Sequence, residues 1–309
     1  MSARFILSLD CEGKWGVADH LSASDHIALS DDGLRRAYGS IIALLEKYNI
    51  PATFAFTACF TLDKAGLVRI RPQLEALAQH FPDYINPVLQ DCFHGSQQGW
   101  AGNWAVEAVK ASRVPHEVGL HGVTHIPWDH PRMTEEWARR DLELGYEDCN
   151  FAKPGMTYIC PRGGLGYEKL LAEKGIVGYR LVRKHPSRIR SLLSEFDITS
   201  ASDTDPAYNA GLQEIPAGYF INWRHGLRNV VPVAVTRLRA RRMLQRAAHS
   251  NGVVHFWTHP ENIATAPDTL NVMEAILQEV AGARAAGQCR VITQLDYCNE
   301  RRAQVRAAA

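Results

Sequence analysis

The chain has 309 residues, of which 46% are hydrophobic and 22% are charged, and its formal net charge is +1. This composition is typical of a soluble globular protein, and the small net charge excludes an extended basic surface for nucleic acid or an anionic membrane. No apolar run is long enough for a membrane-spanning helix. The first residues do not resemble a signal peptide, because carboxylates follow a very short apolar stretch.

The seven cysteines are scattered along the chain, and no Cys-x-x-Cys pair occurs. Their odd number and their positions inside strand-like runs favour buried thiols over a disulfide framework. We therefore expect a reducing compartment, which predicts a cytoplasmic protein.

Strand-like and helix-like segments alternate along most of the chain. In chain order, the predicted strands are residues 4–10, 51–57, 116–121, 156–161, 177–182, 251–259 and 289–296, and the predicted helices are residues 31–50, 67–81, 134–151, 166–175 and 267–287. This alternation predicts a parallel sheet with helices outside it, either open or closed into a barrel. We predict one domain over residues 1–300 and a tail over 301–309 that frays.

Two regions interrupt the alternation. Residues 81–104 are rich in Pro, Gly and Gln, and residues 198–211 are also irregular. Long loops inside compact domains are usually functional, so we predict a functional loop at 81–104.

Polar side chains follow several predicted strands at the edge where parallel α/β folds collect their chemistry. These residues are Asp10 and Glu12 after the first strand, His121 and His125 after the third, Arg162 after the fourth, and His255 and His259 on a late strand. Two carboxylates, several imidazoles and a guanidinium on one rim could form a metal site with an acid and a base.

The spacing of the first pair of acids and the first pair of histidines carries this hypothesis. On a strand, Asp10 and Glu12 point to the same face and Cys11 to the other. If the chain turns helical after "LHG", His121 and His125 share a face and can bind one cation. The glutamate of a zinc-metalloprotease helix is absent, because Gly122 follows the first histidine.

The ordered set of motifs resembles the polysaccharide deacetylases, carbohydrate esterase family 4, with their chitooligosaccharide-deacetylase homology domain. "SLDCEG" is similar to the family's first, acidic motif, and "LHGVTH" matches its His-(Ser/Thr)-x-x-His spacing. "CPRGGLGY" resembles the arginine motif, and "HFWTHPEN" resembles the last motif, which carries the catalytic histidine.

The resemblance implies a single-domain, TIM-like, distorted (β/α)7 barrel. It also implies a divalent cation, zinc first with cobalt, nickel, iron or manganese as alternatives, bound by Glu12, His121 and His125. Asp10 would be the general base, Arg162 would orient it, and His259 would be the general acid.

Two departures from the family leave alternatives open. The common form has adjacent aspartates, whereas here the acids flank Cys11, so either acid could be the base or the ligand. The family's Asp-Trp motif has no clear counterpart, since "EIPAGYFINW" offers both Glu214 and Asn222-Trp223.

Four further residues are candidates for substrate binding. Trp15 and Trp128 could stack on a sugar ring, Lys14 could bind an anionic group, and His255 could share the rim with His259. Each also has a structural interpretation, as a packed aromatic, an exposed lysine or a buried histidine.

Together these features predict an enzyme that removes an acetyl or formyl group from an N-acylated amino sugar. The expected sugar is carried on a nucleotide, a lipid or a small glycoside in surface polysaccharide or glycoconjugate biosynthesis. Two alternatives are an allantoinase-like hydrolase of cyclic amides and a non-catalytic carbohydrate-binding protein. The sequence does not indicate the oligomeric state.

Overall fold

A computed structural model describes residues 2–182, 187–198, 206, 208–209 and 211–308. Its strands are β1 (Ala3–Cys11), β2 (Thr53–Phe56), β3 (Glu117–Leu120), β4 (Thr157–Ile159), β5 (Gly178–Arg180), β6 (Tyr208–Asn209), β7 (Leu212–Ile215), β8 (Tyr219–Phe220), β9 (Val253–Thr258) and β10 (Cys289–Val291). Several residues of the second irregular region (199–205, 207 and 210) lie outside the described residues.

The helices surround these strands. They are α1 (Ala23–Ala28), α2 (Asp31–Tyr48), α3 (Lys64–Arg69), α4 (Arg71–His80), α5 (Pro82–His94), α6 (Asn103–Lys110), α7 (Glu135–Glu143), α8 (Glu168–Glu173), α9 (Arg188–Ser194), α10 (Val233–Ser250), α11 (Pro260–Thr265), α12 (Thr269–Ala285) and α13 (Gln294–Ala308). A 3-10 segment, Gly13–His20, follows β1 directly. None of the described helices has the length and apolarity needed to span a membrane.

The strands form a curled parallel sheet in the order β7-β5-β4-β3-β2-β1-β9-β8. β10 adds a parallel pairing to β1, and β6 pairs with β7 antiparallel. The helices lie outside the curl, so the carboxyl ends of the parallel strands meet at one rim. This arrangement confirms the predicted TIM-like, distorted barrel.

β1 lies inside the sheet between β2 and β9, and all nine of its residues are buried. Its side chains alternate between two faces, as the strand period requires. One face, which packs in the main core under the helices, consists of Phe5, Leu7, Leu9 and Cys11. On the opposite face, Ile6 joins a smaller apolar cluster with Val177 and Val253. The same face carries Asp10 towards the rim.

A buried carboxylate attaches the last helix to the amino-terminal end of the barrel. Glu117 accepts hydrogen bonds from the hydroxyls of Thr53 (2.6 Å) and Thr157 and from the backbone N–H of Leu295 (2.9 Å). Helix α13 continues through residue 308, so the predicted boundary at residue 300 falls inside a helix. The division into 1–300 and a tail stays a prediction.

Several elements differ from the sequence prediction, including residues 81–104, helix α10 and helix α13, which begins inside the predicted strand 289–296. The loop expected at 81–104 is largely helical, because α5 begins with Pro82 at its first position and buries Tyr84, Ile85 and Val88 at helical spacing. Proline is tolerated in a first turn, where the amide N–H has no intrahelical partner. The long helix α10 was not predicted; its buried residues are separated by arginines. All seven cysteines are free and buried, as predicted.

We predict that Glu117→Ala lowers the free energy of unfolding by about 2–4 kcal/mol. The substitution would leave the hydroxyls of Thr53 and Thr157 and the N–H of Leu295 buried with no acceptor. Urea unfolding measures this change. The control is Glu107→Ala, whose side chain is 70% exposed and whose loss should cost under about 0.5 kcal/mol. Equal effects of the two substitutions would contradict the prediction.

Candidate active site

Glu12, His121 and His125 meet at the rim. Oε2 of Glu12 lies 2.6 Å from Nε2 of His125 and 3.2 Å from Nε2 of His121. The three side chains are buried, and their potential ligand atoms all lie within 4.8 Å of one another. The expected set of two histidines and one carboxylate is therefore assembled, with Glu12 rather than Asp10 as its acid.

The histidines converge through a turn, and the chain does not become helical after "LHG". Gly122 (φ +63°) and His125 (φ +62°) both adopt the left-handed conformation. A Cβ on Gly122 would lie 2.5 Å from Cγ of Pro161, so only glycine fits there. A left-handed backbone at a non-glycine residue is strained, and such strain is common at functional sites.

The hydrogen bonds of His121 suit a metal ligand. Its Nδ1–H donates to the backbone carbonyl of Ile159 (3.0 Å), which leaves the lone pair of Nε2 facing Glu12. A neutral imidazole nitrogen and a carboxylate oxygen both carry lone pairs, so a cation between them would be bound favourably. The donor set of two imidazoles and one carboxylate therefore fits a divalent transition metal with open positions.

Asp10 binds Arg180, which the sequence analysis had not selected. Nη2 of Arg180 donates to both carboxylate oxygens of Asp10, at 2.6 and 2.5 Å, and both side chains are buried. Trp257 lies 4.7 Å from Cζ of Arg180 in a cation–π contact. The structure thus corrects the prediction that Arg162 orients Asp10: Arg162 binds Asp19 and the carbonyl of Gly16 instead.

His259 lies beside both acids at the rim. Its Nε2 is 3.3 Å from Oε1 of Glu12 and 3.9 Å from Oδ2 of Asp10, and its side chain is 22% exposed. The side-chain amide of Asn262 donates to Nδ1 (3.2 Å), which places the proton of a neutral His259 on Nε2. The rings of Trp257 and Phe220 flank the imidazole at 5.5 and 6.0 Å.

Glu261 is a site residue that the sequence analysis missed. Its Oε1 accepts the backbone N–H groups of Glu12 (3.1 Å) and Gly13 (2.5 Å), so it fixes the end of β1. Burial and then the charge of Glu12 raise the pKa of Glu261 well above its ordinary value. Burial also raises the pKa of Glu12, but His125, His259 and His121 more than offset it and hold that pKa well below its ordinary range. Glu261 lies within "HFWTHPEN", the motif of His259, and this position could have indicated that it belongs to the site.

Comparison with known proteins supports the resemblance at the level of the fold. No protein-family model and no curated protein matches the chain. Among solved structures, one described as a polysaccharide deacetylase from Mycobacterium smegmatis matches at 15% identity with a TM-score of 0.60, covering 98% of this chain and 91% of that one. The allantoinase PuuE matches at 14% identity with a TM-score of 0.54, covering 96% of this chain and 90% of that one.

The chain has the polysaccharide deacetylase fold. At these identities the likeness concerns the fold alone, and the chemistry of the site must be argued from its own residues.

Within this deacetylase fold, Trp15 and Lys14 lie inside the protein, which corrects the prediction that they bind substrate. The indole N–H of Trp15 donates to the carbonyl of Trp100 (3.0 Å), and the two rings pack edge to face. Nζ of Lys14 lies 3.3 Å from Nδ1 of His26, and its side chain is 2% exposed. Trp15 thus fastens the segment after β1 to the turn before α6, and Lys14 fastens it to α1.

Trp128 and His255 also have structural contacts rather than exposed faces. The Trp128 ring packs on Tyr158, and its N–H points to Asp141 at 3.4 Å. His255 is completely buried between the hydroxyl of Ser8 (2.9 Å) and the carbonyl of Pro216 (2.6 Å). Burial and then the charge of Arg180 lower the pKa of His255 to about 3, so it is neutral.

The residues considered for the Asp-Trp motif have other partners in the described part of the chain. The amide of buried Asn222 donates to the carbonyl of Arg228, and the indole of Trp223 donates to Thr265 on α11. Glu214 pairs across the sheet with Tyr179 on β5. The residue that contacts Nδ1 of His259 is Asn262, not Glu214, Asn222 or Trp223.

Asp141 on α7 attaches the loop that carries His125. Its Oδ1 accepts the hydroxyl of Thr124 (2.6 Å), and its other oxygen faces the indole N–H of Trp128. Burial raises the pKa of Asp141 from 3.8 to about 6, against the lowering effect of these hydrogen bonds. The carboxyl is thus protonated over a pH range in which the unfolded chain is already ionised.

We predict that Asp141 makes stability fall as the pH rises. Because its pKa is raised in the folded state, its stabilising contribution is complete below about pH 4 and is lost as the pH rises through about 6. Relative to Asp141→Asn, the wild type should lose on the order of 3 kcal/mol across this range.

Urea unfolding of both proteins at several pH values measures the difference. The control is Glu136→Gln, whose side chain is 70% exposed and which should show no such slope. A constant difference between wild type and Asp141→Asn would contradict the prediction.

Proposed function

We propose that the protein is a metal-dependent hydrolase that removes an acetyl or formyl group from the nitrogen of an amino sugar. The observation that carries this proposal is the meeting of three groups on one rim. These are the Glu12–His121–His125 set, a second carboxylate held by Arg180, and His259 beside both acids. The deacetylase fold is the second support.

Each side chain has a role that its contacts support. A divalent ion held by Glu12, His121 and His125 would lower the pKa of a bound water to about 7 and polarise the amide carbonyl. Asp10 is the general base that takes the proton of the attacking water. Arg180 orients Asp10 through both of its carboxylate oxygens.

His259 is the general acid. Its Nε2 faces the rim beside both acids, and in its imidazolium form it gives the Nε2 proton to the departing amine and is left as a neutral imidazole. An amine is a poor leaving group until it is protonated, so this step suits an amide substrate. The ring of Phe220 beside His259 is only partly buried and is an apolar surface on which the acyl group or the sugar can pack.

A second candidate is the hydrolysis of a cyclic amide. The allantoinase PuuE, with its TM-score of 0.54, favours this alternative, since the same groups could open a ring. Ring opening of hydantoins and release of acetate or formate from N-acyl amino sugars would distinguish the two. The sugar's carrier and the cytoplasmic location stay predictions. A carbohydrate-binding protein would bind sugar without turnover.

We predict that the purified protein binds about one zinc or cobalt ion per chain and that His121→Ala loses it. The substitution removes a ligand whose orientation is fixed by the Ile159 carbonyl. Elemental analysis after dialysis against a known metal concentration is the measurement, with the exposed His249→Ala as the matched control. Equal metal content in the two variants would exclude the site.

We predict that His259→Ala and Arg180→Lys lower turnover by about 10²–10⁴-fold while metal content stays at the wild-type level. His259→Ala removes the proton donor. Arg180→Lys keeps the charge but loses the donor geometry that reaches both oxygens of Asp10. Acetate or formate release measures turnover, again against His249→Ala. Metal loss in either variant would show that these residues act on the ligand set instead.

A further inference from the structure

A short segment covers the Glu12 carboxylate. After Gly13 the chain leaves β1 and runs as the 3-10 segment Gly13–His20, which we call the cover segment. Gly16 within it lies directly against Glu12: a Cβ on Gly16 would be 2.1 Å from Cδ and 2.3 Å from Oε1 of that carboxylate. Gly16 is not left-handed, so glycine is needed there for space alone.

Arg162 holds the cover segment from outside. Its Nη2 donates to the carbonyl of Gly16 (3.1 Å) and to Oδ1 of Asp19 (2.5 Å). The Arg162 backbone is left-handed (φ +52°), a costly conformation for a residue with a side chain. The guanidinium also lies 5.7 Å from the centre of the Tyr84 ring.

The segment that runs from the end of β4 to Arg162 supports two of the three proposed metal ligands. Ile159, at the end of β4, accepts the Nδ1–H of His121. Arg162, three residues later, holds Gly16 against Glu12. This segment therefore orients His121 and also holds Gly16, which confines the carboxylate of Glu12.

We propose that Arg162 is a positioning residue for the metal ligand Glu12 and that it acts through the cover segment. This inference rests on the proposed metal site. Oε2 of Glu12 faces the two histidines, and Oε1 faces His259 and Gly16. With Gly16 held in place, the carboxylate has no room to swing away from the histidines. Without Arg162 the cover segment can lift, and Glu12 can rotate and admit water.

The expected effect is faster loss of the metal. Contacts beyond the direct ligands typically change metal affinity by 10–100-fold. Arg162 is 34% exposed and Asp19 is 21% exposed, so their ion pair is partly screened by solvent. We therefore expect Arg162→Gln and Asp19→Asn each to release Co²⁺ on the order of 10-fold faster than the wild type.

The experiment loads the full-length protein with Co²⁺ and follows its loss to excess chelator. Arg132→Gln is the matched control, because this arginine pairs only with exposed Asp83 (71% exposed) among the contacts of the described residues. The thermal midpoint of each metal-free variant is measured alongside, and we expect it to stay at the wild-type value. Because Arg162 and Asp19 act through one contact, the double variant should be no faster than the faster single variant.

Gly16→Ala tests the wall directly and should release Co²⁺ at least as fast as Arg162→Gln. If Arg162→Gln released Co²⁺ no faster than Arg132→Gln, the proposal would be overturned. A fast release from Gly16→Ala would not rescue it. A lower midpoint of the metal-free Arg162→Gln protein that accounts for the faster release would overturn it too. Failure of the wild type to bind Co²⁺ at all would instead remove the proposed function, and the inference with it.

Discussion

The Glu12 carboxylate, buried among three imidazoles, is the interaction on which the rest of the site depends. An ionised carboxylate is costly to bury unless positive or hydrogen-bonding groups surround it. Here His121 and His125 contact one oxygen and His259 the other, and these imidazoles hold the pKa of Glu12 low against the effect of burial. His125, which has a left-handed backbone, and Gly16 both pack against this carboxylate.

The two acids of the first motif have different surroundings although they lie two residues apart. Asp10 faces the guanidinium of Arg180, whereas Glu12 faces imidazoles. A guanidinium stays charged and donates in a fixed plane, so it orients a carboxylate, and its positive charge disfavours a cation beside it. Imidazoles can lose their protons and become metal ligands. We therefore propose Glu12 as the ligand and Asp10 as the base, a choice that the sequence had left open.

A second buried carboxyl supports Glu12 from behind. Glu261 accepts the backbone N–H groups of Glu12 and Gly13, so it fixes the main chain where the side chain must stay in place. Its raised pKa and the lowered pKa of Glu12 separate the two neighbouring carboxyls into one that tends to be neutral and one that is ionised. Asp141 performs a related task for the loop of His125.

The sequence by itself determined the alternation of strands and helices, the shared face of Asp10 and Glu12, and the convergence of polar residues at strand ends. These features follow from side-chain period and from the geometry of parallel sheets, which are local properties. Helix α5 was not predicted because prolines usually indicate a loop. Its first position is one at which a helix tolerates proline.

Only the tertiary structure decided which arginine reaches Asp10. Arg180 is 170 residues away in sequence and lies on β5, across the curl of the sheet from β1. Motif order pointed to Arg162, but the left-handed backbone there directs its side chain to Asp19 and Gly16. The tertiary structure also buries four residues that were expected to bind substrate, namely Trp15, Lys14, Trp128 and His255. Contacts of this kind depend on strand order and curvature, which no local spacing encodes.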